Sequence, residues 1–123
     1  MMYEANESVL RAVPLLNLPM SDNLIQTIAT NLIPEIYLPA DYIIFKNDIG
    51  KEMFFIIEGS VDVLTPDNKK VANKLGPGNY VGEMALLTHM QRACSVVAST
   101  FCLMYLLKNE DFEKVLEGYG NVR

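Results

Sequence analysis

Two hydrophobic periods divide the chain. Residues 8–32 carry apolar positions at helical spacing. Ser8 can cap a first helix through Val9, Leu10 and Val13, and Pro14 ends or bends it. Ser21 or Asp22 can cap a second helix, whose Leu24, Ile25, Ile28, Ala29 and Leu32 share one face, with Pro34 as its stop. From residue 35 the period becomes that of strands. The runs 35–38 and 42–45 flank Pro39-Ala40-Asp41, and Lys46–Gly50 reads as a turn. Met53–Ile57 is apolar without interruption, the pattern of a strand covered on both faces, whereas Ser60–Leu64 alternates. Lys70–Leu75, Ala93–Ala98 and Phe101–Leu107 are further strands, with turns at 66–68, 76–79 and 99–100. A last helix starts at Asn109 or Glu110 and presents Phe112, Val115, Leu116 and Tyr119 on one side.

Short strands separated by regular turns predict a β-barrel or jelly roll. Helices are expected at both ends, at 8–33 and 108–119, around a roll at 34–107. The length of 123 residues suits one domain, 1–123, with a core that needs no staples. No internal repeat or low-complexity linker interrupts it, and residues 1–7 are expected to fray.

Composition narrows the function. No apolar run approaches ~18 residues, so direct membrane insertion is not expected. The N-terminus lacks the basic and apolar regions of a signal peptide. A net charge of −5, with Lys69-Lys70 and Lys74 as the strongest basic run, argues against nucleic acid. Cys94 and Cys102 could face each other on neighbouring strands, but two reduced core thiols are the simpler expectation. His89 is the only histidine and cannot supply the several imidazoles a metal-dependent barrel enzyme needs, so no metal is expected and His89 reads as an exposed residue. Ser60 and Ser95 have no base in the pattern, which excludes a legible nucleophile and predicts a non-enzyme. The seven methionines read as gap-filling core residues.

The candidate chemistry lies in residues 82–96. Gly82-Glu83 opens a short apolar segment, and Arg92 follows nine positions after the acid. Glycine lets a backbone approach a ligand closely. N–H groups at the start of a short helix point at a phosphate, and arginine offers it a charge-assisted partner. A carboxylate such as Glu83 accepts hydrogen bonds from sugar hydroxyls. A plainer reading is a turn, one helical turn and an arginine paired with a surface carboxylate.

Several segments in order decide between these. Leu38-Pro39-Ala40-Asp41-Tyr42-Ile43-Ile44, Ile49–Ile56, Gly59–Thr65, Gly78–Glu83, Leu86-Leu87-Thr88 and Asp111–Tyr119 together resemble the cytoplasmic cyclic nucleotide-binding domain of hyperpolarisation-activated and cyclic-nucleotide-gated ion channels. The resemblance runs from about Ser8 to Tyr119. It implies an α+β fold, an antiparallel, jelly-roll-like β-roll flanked by N- and C-terminal helices, with a phosphate-binding cassette at 82–93. It also implies a regulatory domain that binds cAMP or cGMP, uses no other cofactor, and modulates channel gating through movement of its C-terminal helices. The parent would be a tetrameric, membrane-embedded channel whose transmembrane pore region is the partner of this cytoplasmic domain. By the same resemblance, Gly82 and Ala85 offer backbone groups near the ribose-phosphate ring, Glu83 holds the ribose 2′-hydroxyl, and Arg92 pairs with the exocyclic phosphate oxygens. Ala93 lies beside purine and phosphate, and Val63 packs on the base.

The chain departs from that pattern in places. Val81 stands where many relatives have an aromatic residue, and Ala93 where many have a threonine whose hydroxyl favours guanine. An alanine there predicts a preference for cAMP. The segment between Leu64 and Leu75 is long for the family, with Val71 and Asn73 as candidates for a second base contact. The final lid helix should follow Tyr119 and is expected to be missing or short. The alternatives are a structural or assembly domain of a channel or transporter that has lost nucleotide binding, a cAMP-sensing kinase regulatory subunit, and the sensor half of a bacterial transcription factor, which the acidic charge disfavours.

Overall fold

The computed structural model describes residues 22–86 and 88–118. The expected first helix, its Ser8 cap, the Ser21 cap and Tyr119 lie outside the described residues, as do the side chains of Leu24 and Leu116. Helix α1 (Asp22–Thr30) leads into strands β1 (Ile33–Tyr37), β2 (Tyr42–Ile44), β3 (Glu52–Glu58), β4 (Val61–Leu64), β5 (Val71–Leu75) and β6 (Tyr80–Val81). A 3-10 turn (Glu83–Leu86), β7 (Val96–Ala98), β8 (Cys102–Lys108) and helix α2 (Asn109–Gly118) follow. The strands form two antiparallel four-stranded sheets, ordered β1-β8-β3-β6 and β2-β7-β4-β5. This is the α+β roll between helices that the sequence predicted.

Alternation along β3 and β8 explains why these strands are apolar throughout. Phe54 and Ile56 on β3, with Cys102, Met104 and Leu106 on β8, face the second sheet and pack with Ile44, Val61, Val96 and Ala98. Met53, Phe55, Tyr105 and Leu107 emerge on the other face and pack with Ile25, Ile28 and Phe112 of the two helices. Both faces of one sheet are buried, so neither can be polar. In the second sheet β4 turns Val61 and Val63 toward the cluster inside the roll, with Asp62 between them.

Beyond shifts of a residue or two at strand ends, three places differ from expectation. Helix α1 ends at Thr30, where Asn31 N–H donates to Ile28 O (2.9 Å) and the Asn31 amide donates to Thr27 O (2.9 Å), so Pro34 is not its stop. Pro34 lies within β1, opposite Tyr105, and β1 is an edge strand where a missing N–H costs no ladder bond. Residues 93–95 are not strand. Ser95 is diverted instead, its carbonyl accepting from Leu64 N–H (2.9 Å) and its hydroxyl from Lys46 N–H (2.9 Å). Finally, Tyr80–Val81 forms a two-residue strand on Phe55 and Phe54, an element the turn-rich sequence around it did not signal.

Gly59 turns β3 into β4 at φ 90°, and a β-carbon there would stand 2.2 Å from Phe101 O. Both cysteines are free thiols: Cys102 is buried, as expected, but Cys94 is half-buried in the bend before β7.

Candidate functional site

A cavity of about 480 Å³ opens between the second sheet and the segment 81–96. Its walls are mostly apolar, from Ile44, Val63, Val81, Ala85 and Val96. Such a wall with a few convergent polar groups is the usual form of a small-molecule site. Val63, Gly82, Glu83, Ala85, Arg92 and Ala93, all singled out in the sequence, line this one cavity. Val71 and Asn73 do not. They lie exposed on β5, where Asn73 pairs with Val63 in register.

Strand β6 delivers Gly82 to the cavity directly from its pairing with β3. Gly82 has φ 80°, and its carbonyl accepts Ala85 N–H (3.0 Å), which starts the 3-10 turn. The far end of the segment is pinned to the β2–β3 loop. Arg92 N–H donates to Asp48 O (2.7 Å), Asn47 N–H to Arg92 O (2.8 Å) and Gly50 N–H to Met90 O (3.1 Å). These bonds fix where the Arg92 side chain begins.

The guanidinium lies between two glycines. A β-carbon at Gly82 would stand 2.6 Å from Arg92 Nη1, and one at Gly50 would stand 3.0 Å from Arg92 Cζ. Arg92 Nη2 donates to the backbone carbonyl of Glu52 (2.6 Å) and Nη1 to that of Gly82 (3.4 Å). The Glu52 carboxylate stands 3.7 Å from Nη2. Burial pushes the Arg92 pKa below the usual value, while Glu52 and Asp48 act in the other direction. Glu83 is half-buried at the cavity, and its carboxylate has no hydrogen-bond partner among the described residues. The site therefore pairs one buried cation with one uncommitted acceptor, a set suited to an anion that carries hydroxyl groups.

Residues 34–119 match the family described as the cyclic nucleotide-binding domain. The chain belongs to that family. Over 101 residues it is 45% identical to potassium/sodium hyperpolarization-activated cyclic nucleotide-gated channel 2 of Mus musculus, covering 82% of this chain and 12% of that channel. Channel 4 of Homo sapiens is also 45% identical, with 82% of this chain and 8% of the channel covered. Channel 1 of Oryctolagus cuniculus is 40% identical, at 82% and 11%. The chain thus spans 12% or less of the length of these relatives. Membership of a cyclic nucleotide-binding domain family agrees with the expected non-enzyme. No described helix is long and apolar enough to cross a membrane.

Some features of this cyclic nucleotide-binding domain escaped the sequence reading. Gly50 and Glu52 reach Arg92 from about forty positions away, a proximity that no local spacing announces. Met84 and Met90 are exposed and line the cavity, unlike the buried Met53 and Met104, so the methionines are not all core. His89 is exposed, as expected, yet its Nδ1 lies 3.4 Å from the side-chain Nδ2 of Asn109, the first residue of α2.

Proposed function

We propose that this domain binds a cyclic nucleotide in the 82–96 cavity, cAMP in preference to cGMP, and through it modulates the gating of an ion channel. The observation that carries the reading is the Arg92 guanidinium, 10% exposed and held by two backbone carbonyls at the edge of a mostly apolar cavity. A phosphate offers that cation a charge-assisted partner. N–H groups of the turn beginning at Gly82 add neutral donors, and Glu83 accepts from the ribose 2′-hydroxyl. Val63 and its apolar neighbours take the purine face. Ala93 gives the guanine amino group no hydroxyl partner, which is the basis of the cAMP preference.

In this reading the ligand tightens the cassette and α2 moves toward the base. The parent is a membrane-embedded, tetrameric channel, and this domain is its cytoplasmic regulator, acting on the transmembrane pore region. A ligand shifts such an equilibrium only by its differential affinity for the two states, about 1.4 kcal/mol for each tenfold preference. The similarity to channels named for cyclic-nucleotide gating supports it.

Calorimetric titration with cAMP and cGMP tests the proposal. Saturable binding, tighter for cAMP, is the expected result. The Arg92→Ala variant should keep its fold and lose about one to two decades of affinity, since a charge-assisted hydrogen bond contributes roughly 1.5–3 kcal/mol. Absence of binding by the unmodified domain at millimolar ligand would sink the reading, and equal affinities would sink the cAMP preference.

A further inference from the structure

Arg92 has two kinds of partner, and they do different things. The backbone carbonyls of Glu52 and Gly82 set the direction of the guanidinium through hydrogen bonds of 2.6 and 3.4 Å. The Glu52 carboxylate lies at 3.7 Å, beyond hydrogen-bond distance, so its contribution is charge rather than position. It is also the more solvated member, 30% exposed against 10% for Arg92. Glu52 is the first residue of β3 and is absent from the cavity lining, so the guanidinium has the cavity on one flank and this carboxylate on another. Lys108 opposes Glu52 in register on β8, with no ion pair between them among the described residues. Asp48 adds a second, weaker negative influence on Arg92.

We infer that the Glu52 carboxylate is a resident counter-anion for Arg92, which stabilises the protein without ligand and weakens its affinity for an anionic ligand. The inference rests on the proposed role of Arg92 as the phosphate partner. A largely buried cation stripped of the carboxylate that acts on it most strongly is destabilised. A phosphate arriving at the same guanidinium meets a like charge a few ångströms beyond it, which disfavours binding. The two effects have opposite signs for one substitution. Glu52 thus acts on the ligand through Arg92 in two ways: its carboxylate offsets part of the guanidinium's field, while its backbone carbonyl sets the direction.

Glu52→Gln isolates the charge, because the side chain keeps its shape and the backbone carbonyl remains. Calorimetry should show cAMP binding about three- to tenfold tighter, the size of one partly screened like-charge contact. Thermal unfolding of the ligand-free variant should fall by about 2–4 °C, and the rise on saturation with cAMP should exceed that of the unmodified domain. Glu52→Asp, which keeps the charge, should restore both quantities most of the way. A residue that merely supported the site would lower stability and affinity together. Weaker or unchanged cAMP binding by Glu52→Gln therefore overturns the inference. A ligand-independent readout keeps it separable from the functional reading: the Arg92 Nε–H should exchange with solvent faster in Glu52→Gln, followed by NMR without nucleotide. If the unmodified domain binds no nucleotide, the functional reading fails, and an unchanged Arg92 exchange rate would then overturn the counter-anion role as well.

Discussion

Gly82 and Gly50 flank the same guanidinium but restrict it differently. Gly82 sits at φ 80°, where any side chain is strained, and its β-carbon would collide with Arg92 Nη1. Gly82→Ala should cost about 1–2 kcal/mol of stability from the backbone alone and weaken nucleotide binding at least tenfold by displacing Arg92, measured by urea unfolding and titration. Gly50 has no positive φ, and a β-carbon added there would stand 3.0–3.1 Å from Arg92 and the Ala85 methyl. Gly50→Ala should therefore lose affinity with a smaller loss of stability, which separates crowding from backbone strain. The place of Gly82 at the cavity was legible because it opens a recognisable local motif. That of Gly50 was not, since its neighbour Arg92 is remote along the chain. Tyr37 carries a further expectation. Burial, with Glu35, Glu52 and Asp41, raises its pKa to about 12. The folded state thus favours the neutral phenol, and the stability this contributes is full below pH ~10, the value in the unfolded chain, and is lost as pH rises toward 12. Tyr37→Phe should flatten the decline in melting temperature over that interval.

Elements with one unambiguous environment were the ones the sequence announced. β3 and β8 bury both faces, so their uninterrupted apolar runs could be nothing polar, and β4 puts Val61 and Val63, on either side of Asp62, against the cluster inside the roll. Phe55 is 1% exposed on the helix-facing side of β3. Phe55→Ala should cost about 3–5 kcal/mol in chemical denaturation, because the sheet leaves little room to collapse around the lost ring. The elements that escaped notice are governed by distant partners. Tyr80–Val81 is strand only because β3 offers an edge to it. Residues 93–95 lead straight into the apolar run 96–98, yet Ser95 is bonded to Leu64 and Lys46, and the ladder starts one residue later. Pro34 reads as a helix breaker in isolation and as an edge-strand residue once β8 is beside it.

Across the whole molecule, the sheet containing β3 and β8 separates two apolar clusters, one inside the roll and one beneath the helices. The 3-10 turn joins the second of these clusters to the cavity. Ala85 lines the cavity, while its neighbour Leu86 is 5% exposed in the cluster that holds Ile25, Ile28 and Phe112. Under the proposed function, Phe112→Ala should leave the cavity lining intact and reduce the nucleotide-induced amide shifts of α2 in NMR, relative to those at Gly82 and Glu83. Equal reduction at both places would mean that the helix is not the separate responder.

That division between Ala85 and Leu86 has a mechanical consequence. One peptide bond joins a residue facing the cavity to a residue meshed with α2, so the linkage between them has almost no slack. From Phe112 to the end of α2 at Gly118 the helix runs about 9 Å, and a tilt of roughly 10° about Phe112 would carry that end by about 1.5 Å. Under the proposed function, the 3-10 turn would then work as a short crank and α2 as the longer arm, carrying a sub-ångström shift at the nucleotide into a larger displacement at the helix end.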